Sequence, residues 1–310
     1  MISELSKRVQ HFVSVHEKSF PGTAGFVSAV AEARRAVDTG SPDLSFTFHL
    51  KVNLETMGDN PNIGFARLLG EIEGWMGFIV HSVTFRLGHF LDDIVTGLND
   101  ARPYRAMNAT RSLVELSAYV YHHTKILSSA TADLSSALGS EKVNGSSQAN
   151  PDFPSVLNKL LSTLKLATHF AQSSRFNWGA MVRGDMDAFF SEWGTVEEHV
   201  KARQIMTLID KLPGEEKRSA RFFYEMLCDY VHPNLGANTL LVNRAEPVPV
   251  ERMRWELSRE PNSDEALFIL FHSVAIPVRA SLQTMLKDLQ QLEEAKRWFG
   301  EWKRHCENIN

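Results

Sequence analysis

The sequence predicts a mainly α-helical bundle with a small antiparallel β-sheet or hairpin, and three observations predict it. Apolar residues recur at a spacing of three and four over most of the chain. Two uninterrupted stretches, 63–98 and 103–138, are too long to be anything but helices. Strict apolar–polar alternation is confined to short runs at 44–54, 239–244 and 251–257. With 310 residues, 43% hydrophobic, the chain can bury one large core or two smaller ones.

Residues 2–20 place Leu5, Val9, Phe12, Val13 and His16 on one helical side, and Pro21-Gly22 stops them. A second helix is expected over 24–37. The period then changes: Leu44, Phe46, Phe48, Leu50, Val52 and Leu54 alternate with polar residues, a half-buried strand. Gly58 to Asn62 form a turn cluster. Within 63–98, Gly70, Gly74, Gly77 and Gly88 lower helix propensity and suit close approach by another helix. His81 and His89 lie there, with Asp92 and Asp93 three and four residues after His89. A bundle metal site would need Glu-x-x-His on each of two helices, a pattern the chain lacks, so no metal is expected.

Residues 140–152 have linker composition and are expected to be a flexible loop. A regular helix covers 154–174, a less regular region follows at 176–193, and Thr195-Val-Glu-Glu198 opens a helix to about Leu212. The alternating runs 239–244 and 251–257 flank Ala245 to Pro249, giving a β-hairpin over 239–257. Pro261 to Glu265 start a last helix to about His305, bent near Pro277. Its end mixes Trp298, Phe299 and Trp302 with lysines and arginines, an RNA or partner surface or simply a snorkelling amphipathic end. The expected organisation is 1–62 as N-terminal helices and strand, and 63–310 as the bundle, or one continuous domain.

Function is sought first in 213–236. Pro213-Gly214 with Glu215 and Glu216 form a helix start, and His232-Pro233 forms its end. Phe222, Phe223, Met226, Leu227, Tyr230 and Val231 make the expected apolar face. At 100° per residue Arg221, Glu225 and His232 share a polar stripe, with Cys228 beside it and Tyr224 and Asp229 flanking it. Arg111, Glu115 and His122 repeat that spacing in the earlier helix. Buried charges need partners, so Arg111, Glu115, His122, Glu225 and His232 are expected in one polar network, with Tyr224 joining it.

The net charge of −4 excludes a strong overall pull toward nucleic acid or membrane. Cys228 and Cys306 fit reduced thiols, neither at metal-ligand spacing. The first twenty residues hold no signal-peptide apolar region, and the longest apolar runs are interrupted by His81 and His272. A cytoplasmic protein without cofactor is expected.

The Arg-Ser-Leu-Val-Glu helix at 111–115, followed by one ending Tyr-Glu-Met-Leu-Cys-Asp-Tyr-Val-His-Pro-Asn at 224–234, resembles the HEPN-type helical superfamily over 103–138 and 195–236. The resemblance implies a helical bundle, often a homodimer, of prokaryotic defence or toxin–antitoxin systems. It also implies metal-independent ribonuclease activity from an Arg followed four to six residues later by a His. Of that motif His232 carries over. The arginine window holds Glu225, Met226 and Leu227, with Arg221 one turn earlier and Arg111 on another helix. Two functions follow. One is a non-catalytic module that binds a partner protein or nucleotide-like ligand. The other is a ribonuclease with a rearranged site: His232 as acid or base, Arg111 or Arg221 stabilising phosphate charge, Tyr224 and Asp229 orienting them.

Overall fold

A computed structural model describes residues 5–19, 25–39, 44–46, 61–142, 153–172, 180, 184–191, 204–212, 214–233, 235–259 and 263–308. Among them the chain forms ten helices and two strands. In order these are α1 Lys7–Ser19, α2 Phe26–Asp38, α3 Pro61–Asn99, α4 Pro103–Lys142, α5 Phe153–Gln172, α6 Met186–Ser191, α7 Ile205–Ile209, α8 Gly214–Val231 and α9 Leu235–Thr239. Strands β1 Val242–Val248 and β2 Arg252–Leu257 follow, then α10 Asp264–Glu307. The mainly α bundle with a small antiparallel hairpin is therefore the observed fold class. Most of the strand expected over 44–54 lies outside the described residues, and 44–46 are neither helix nor strand. The loop expected at 140–152 also lies outside them from residue 143 on; α4 runs to Lys142.

The chain divides into two compact units, each drawn from three segments. The first comprises 1–41, 83–121 and 205–287; the second comprises 42–82, 122–204 and 288–310. In the first unit α1 and α2 pack on the first half of α10 instead of forming a block of their own. Phe12 and Phe26 each set a ring edge against Phe271, both with centroids at 5.6 Å. His16 joins the same cluster 5.7 Å from His272, whose pKa is lowered by burial and by His16. In the second unit Leu68, Leu69, Ile72 and Met76 of α3 are buried, as are Leu134 of α4, Leu160 of α5 and Phe299 of α10.

Local chemistry explains the helix ends. Ser6 caps α1 by accepting from the Val9 N–H, while the Ser6 N–H donates 2.7 Å to Asn99 Oδ1 at the end of α3. Ser263 caps α10 by accepting from the Ala266 N–H, with Asp264 and Glu265 in the first turn complementing the dipole. Asn243 Oδ1 of β1 accepts from the Ser263 N–H at 3.1 Å, tying the hairpin to that helix start. Pro277 lies inside α10 without ending it. One 18-residue window of α10, of mean hydropathy 1.4, is apolar enough, in a helix long enough, to cross a membrane by length and composition. Of that window, 56% is buried inside the protein, as in a core helix.

The turn between α3 and α4 constrains the fold through backbone contact. A Cβ on Gly97 would stand 2.7 Å from the Ala106 backbone nitrogen, inside any allowed contact. Of the glycines singled out in the sequence, Gly88 faces Val37 at 3.0 Å and Gly77 faces Phe46 at 3.1 Å. Both neighbours are side chains that can shift, whereas the neighbour of Gly97 is backbone. The Arg102 N–H donates back to the Gly97 carbonyl at 2.8 Å, and Ala101 between them takes a left-handed φ of 51°. This is a Schellman-type ending, with alanine where glycine is usual.

These two positions respond with opposite sign. Gly97→Ala is expected to cost about 1–3 kcal/mol through overpacking against backbone. Ala101→Gly relieves a left-handed conformation worth about 1–2 kcal/mol and gives back part of it in chain entropy, a net gain of up to about 1 kcal/mol. Urea-unfolding midpoints check both; a neutral Gly97→Ala would show that the two helices separate freely.

Candidate functional site

Helix α8 carries the candidate site and ends at Val231, where His232 stands before Pro233, as the sequence predicts. Its buried stripe is not the expected one. Phe222 is 62% exposed, and Phe223, Met226, Tyr230 and Val231 are half-buried; among the described side chains of α8, Tyr224 and Leu227 turn inside. The sequence reading placed the face by counting apolar residues. A tyrosine turns inward as readily as a phenylalanine once its hydroxyl has partners.

Those partners stand on α4. The Arg111 Nη2 donates to the Tyr224 hydroxyl at 3.3 Å, and that hydroxyl donates to Glu115 Oε1 at 2.9 Å. Arginine can only donate, so the phenol accepts from one side and passes its own proton to the other. Arg111 Nε lies 3.2 Å from Glu115 Oε1, closing a triangle. The guanidinium carbon is also 5.5 Å from the Tyr224 ring centre, within cation–π reach. Tyr224 is only 5% exposed, while the Arg111 and Glu115 side chains retain 30% and 36% exposure, so the triangle is a half-buried polar seal.

The electrostatics raise the pKa of both Tyr224 and Arg111. Burial pushes the Tyr224 pKa up to about 12; Glu115 adds to the rise and Arg111 opposes it. Burial works against the Arg111 charge, but the hydrogen bond to Tyr224 and the neighbouring charges outweigh it and leave its pKa above the ordinary value. Free Cys228, one turn after Tyr224, is half-buried near this group.

The other residues expected in the network lie elsewhere. Arg221 pairs with Glu225 at 3.0 Å and with Asp210 at 3.0 Å, all three at the surface. The repeated Arg/Glu spacing thus makes an i,i+4 ion pair twice, and only the α4 copy is sealed by a tyrosine. His232 is exposed, eight residues and about 12 Å of helix beyond Tyr224. Asp229 is exposed as well. His122 is buried in the second unit, 5.1 Å from the His123 ring, which lies 5.3 Å from His169 and stacks on Phe170 at 4.8 Å. The expected network of Arg111, Glu115, His122, Glu225 and His232 is corrected to Arg111, Glu115 and Tyr224.

Sequence reasoning missed Asp210 and the His123–His169 contact. Asp210 follows α7 and reaches Arg221 from another helix, which no periodic signal announces. His169 meets His123 across two helices whose register is set by packing. Near Asp92 and Asp93, the carboxylates after His89 are engaged by arginines: Asp92 with Arg34, and Asp93 with Arg105 at 2.8 Å. A shallow depression lined by Ala101, Pro103, Leu240, Leu267 and Leu270 is apolar and holds no member of the triangle. Comparison with protein-family models, curated proteins and solved structures yields no match.

Removing a partner from the triangle strands the others. Glu115→Ala and Tyr224→Phe should each cost about 1 kcal/mol, at the low end for a buried polar group because water screens the half-exposed charges. Their double-mutant cycle should be non-additive by more than about 0.5 kcal/mol, whereas Glu115→Ala with His232→Ala should add. The raised Tyr224 value sets an alkaline signature. A phenol whose pKa is higher folded than unfolded adds stability that is complete below about 10 and is lost as pH climbs through about 12. Denaturant stability should fall across that window more steeply in the wild type than in Tyr224→Phe; parallel curves would contradict the assignment.

Proposed function

We propose that this chain is a non-catalytic helical interaction module of HEPN-like type, whose partner is a protein. One observation carries the reading. Arg111, one of the two arginines of the expected chemistry, is closed into a triangle with Glu115 and Tyr224, and His232 stands outside it. General acid–base work needs a group that exchanges protons near the working pH and lies within hydrogen-bond reach of the reacting atoms. A phenol held to about 12 and a charge-paired guanidinium do not exchange protons there. A guanidinium neutralised by its own helix's carboxylate also has little charge to offer a phosphate. The Arg221–Glu225–Asp210 group is neutralised in the same way. Among the described residues, exposed large apolar side chains include Phe222 on α8 and a cluster on the β-hairpin.

One prediction separates this reading from its rival, a metal-independent ribonuclease. Single-stranded RNA incubated with the purified full chain in chelator-containing buffer should remain intact, with wild type and His232→Ala indistinguishable. His232 is exposed, so its replacement should shift stability by no more than about 0.5 kcal/mol. Cleavage by the wild type that disappears in His232→Ala, at unchanged melting temperature, would overturn the interaction-module reading.

A further inference from the structure

The β-hairpin has two faces of opposite character. Val242, Ala245 and Pro247 of β1 stand opposite Leu257, Trp255 and Met253 of β2, and residues directly opposite share a face. That face is wholly apolar. The other carries Arg244, Glu246 and Val248 opposite Glu256, Arg254 and Arg252. On it Glu246 bridges Arg244 at 3.0 Å and Arg254 at 3.3 Å. Every residue of β2 is exposed, and Met253, Trp255 and Leu257 keep 55%, 47% and 63% of their surface in water. Val250, 82% exposed at the turn, extends the apolar surface from a strained left-handed φ of 69°. Among the described residues β2 pairs with β1 alone, so its outer edge is an open template for another strand.

We infer that this edge pairs with β2 of a second copy of the chain, antiparallel, across a twofold axis at Trp255. The inference rests on the interaction-module reading and names the partner. Charge complementarity selects both occupant and register. With the axis at Trp255, each Arg254 faces Glu256 of the partner subunit, each Met253 faces Leu257 of the partner subunit, and the two Trp255 rings meet. With the axis at Arg254, two arginines collide; at Met253, Arg252 and Arg254 face each other twice; at Glu256, two glutamates collide. A slip by one residue sets the apolar face of one copy beside the charged face of the other. The β1-β2-β2-β1 sheet so formed uses the open edges and places the apolar side chains side by side. A six-residue edge contributes less than the roughly 800 Å² per partner of a standard interface, so the dimer is weak, micromolar or weaker.

Sedimentation velocity of the full chain from about 1 to 200 µM tests this, the range bracketing that affinity. The wild type should move reversibly from monomer to dimer as concentration rises. Trp255→Lys should weaken association at least tenfold with unchanged circular dichroism. Arg254→Glu alone places glutamate against glutamate, and Glu256→Arg alone places arginine against arginine, so each should remain monomeric. Mixed in equal amounts, the two variants restore both opposite-charge pairs and should dimerise with each other. A wild type monomeric throughout, a dimer indifferent to Trp255→Lys, or a mixture no more associated than its components would each overturn the self-pairing. None of these outcomes bears on RNA cleavage, which tests the underlying reading separately.

Discussion

Tyr224 needs two hydrogen-bond partners in a place where water is scarce, and much of the first unit's local arrangement follows from that need. A buried hydroxyl without partners costs about 1–3 kcal/mol, comparable to a sizeable part of a domain's net stability. Glu115 accepts its proton and Arg111 donates to its oxygen, so α4 and α8 are held in one register by a contact that apolar packing could not specify. Leucine against leucine tolerates small slips. A triangle of donor, relay and acceptor does not, because a shift of one residue along either helix turns a partner away.

The same geometry governs what the site can do. Arginine and glutamate one turn apart are a common helix-stabilising pair, and the chain builds that pair twice. At Arg221 the pair stays in water, where its net worth is small. At Arg111 it is half covered, and the tyrosine between the helices turns it into a seal. The price of the seal is reactivity: a phenol pushed up to about 12 and a guanidinium raised above its ordinary value do not trade protons near neutral pH. The large exposed apolar side chains of the hairpin lie away from these residues, on one face of a ribbon whose second strand pairs, among the described residues, with the first alone.

The turn joining α3 to α4 plays a parallel part through sterics. Gly97 lets the start of α4 approach within backbone contact, which sets where Arg111, nine residues into α4, can stand. Ala101 in a left-handed conformation shows that the ending is dictated by the two helices it joins and not by its own preference. The strained hairpin turn at Val250 and Glu251 obeys a different pressure, since Val250 keeps 82% of its surface in water.

How much of this the amino-acid sequence contains depends on the range of the interaction concerned. Periodicity, caps and prolines are short-range, and they locate α1, α2, α3, α4, α5, α8 and α10, including the stop before Pro233; they also give the hairpin, but with its first strand over 239–244, whereas β1 runs Val242–Val248 through the residues expected to connect the strands. The pairing of Arg111 with Glu115 is likewise one helical turn long and was legible, as was Tyr224 as a bridging candidate. His232, Glu225 and His122 were grouped with them because angular position on a helix ignores distance along its axis. Eight residues separate Tyr224 from His232, and His122 lies eleven beyond Arg111. Which side of α8 turns inward, the tyrosine side or the phenylalanine side, is a difference between two faces of similar hydrophobicity. Only the positions of Arg111 and Glu115 on another helix, 109 to 113 residues away in the chain, decide it.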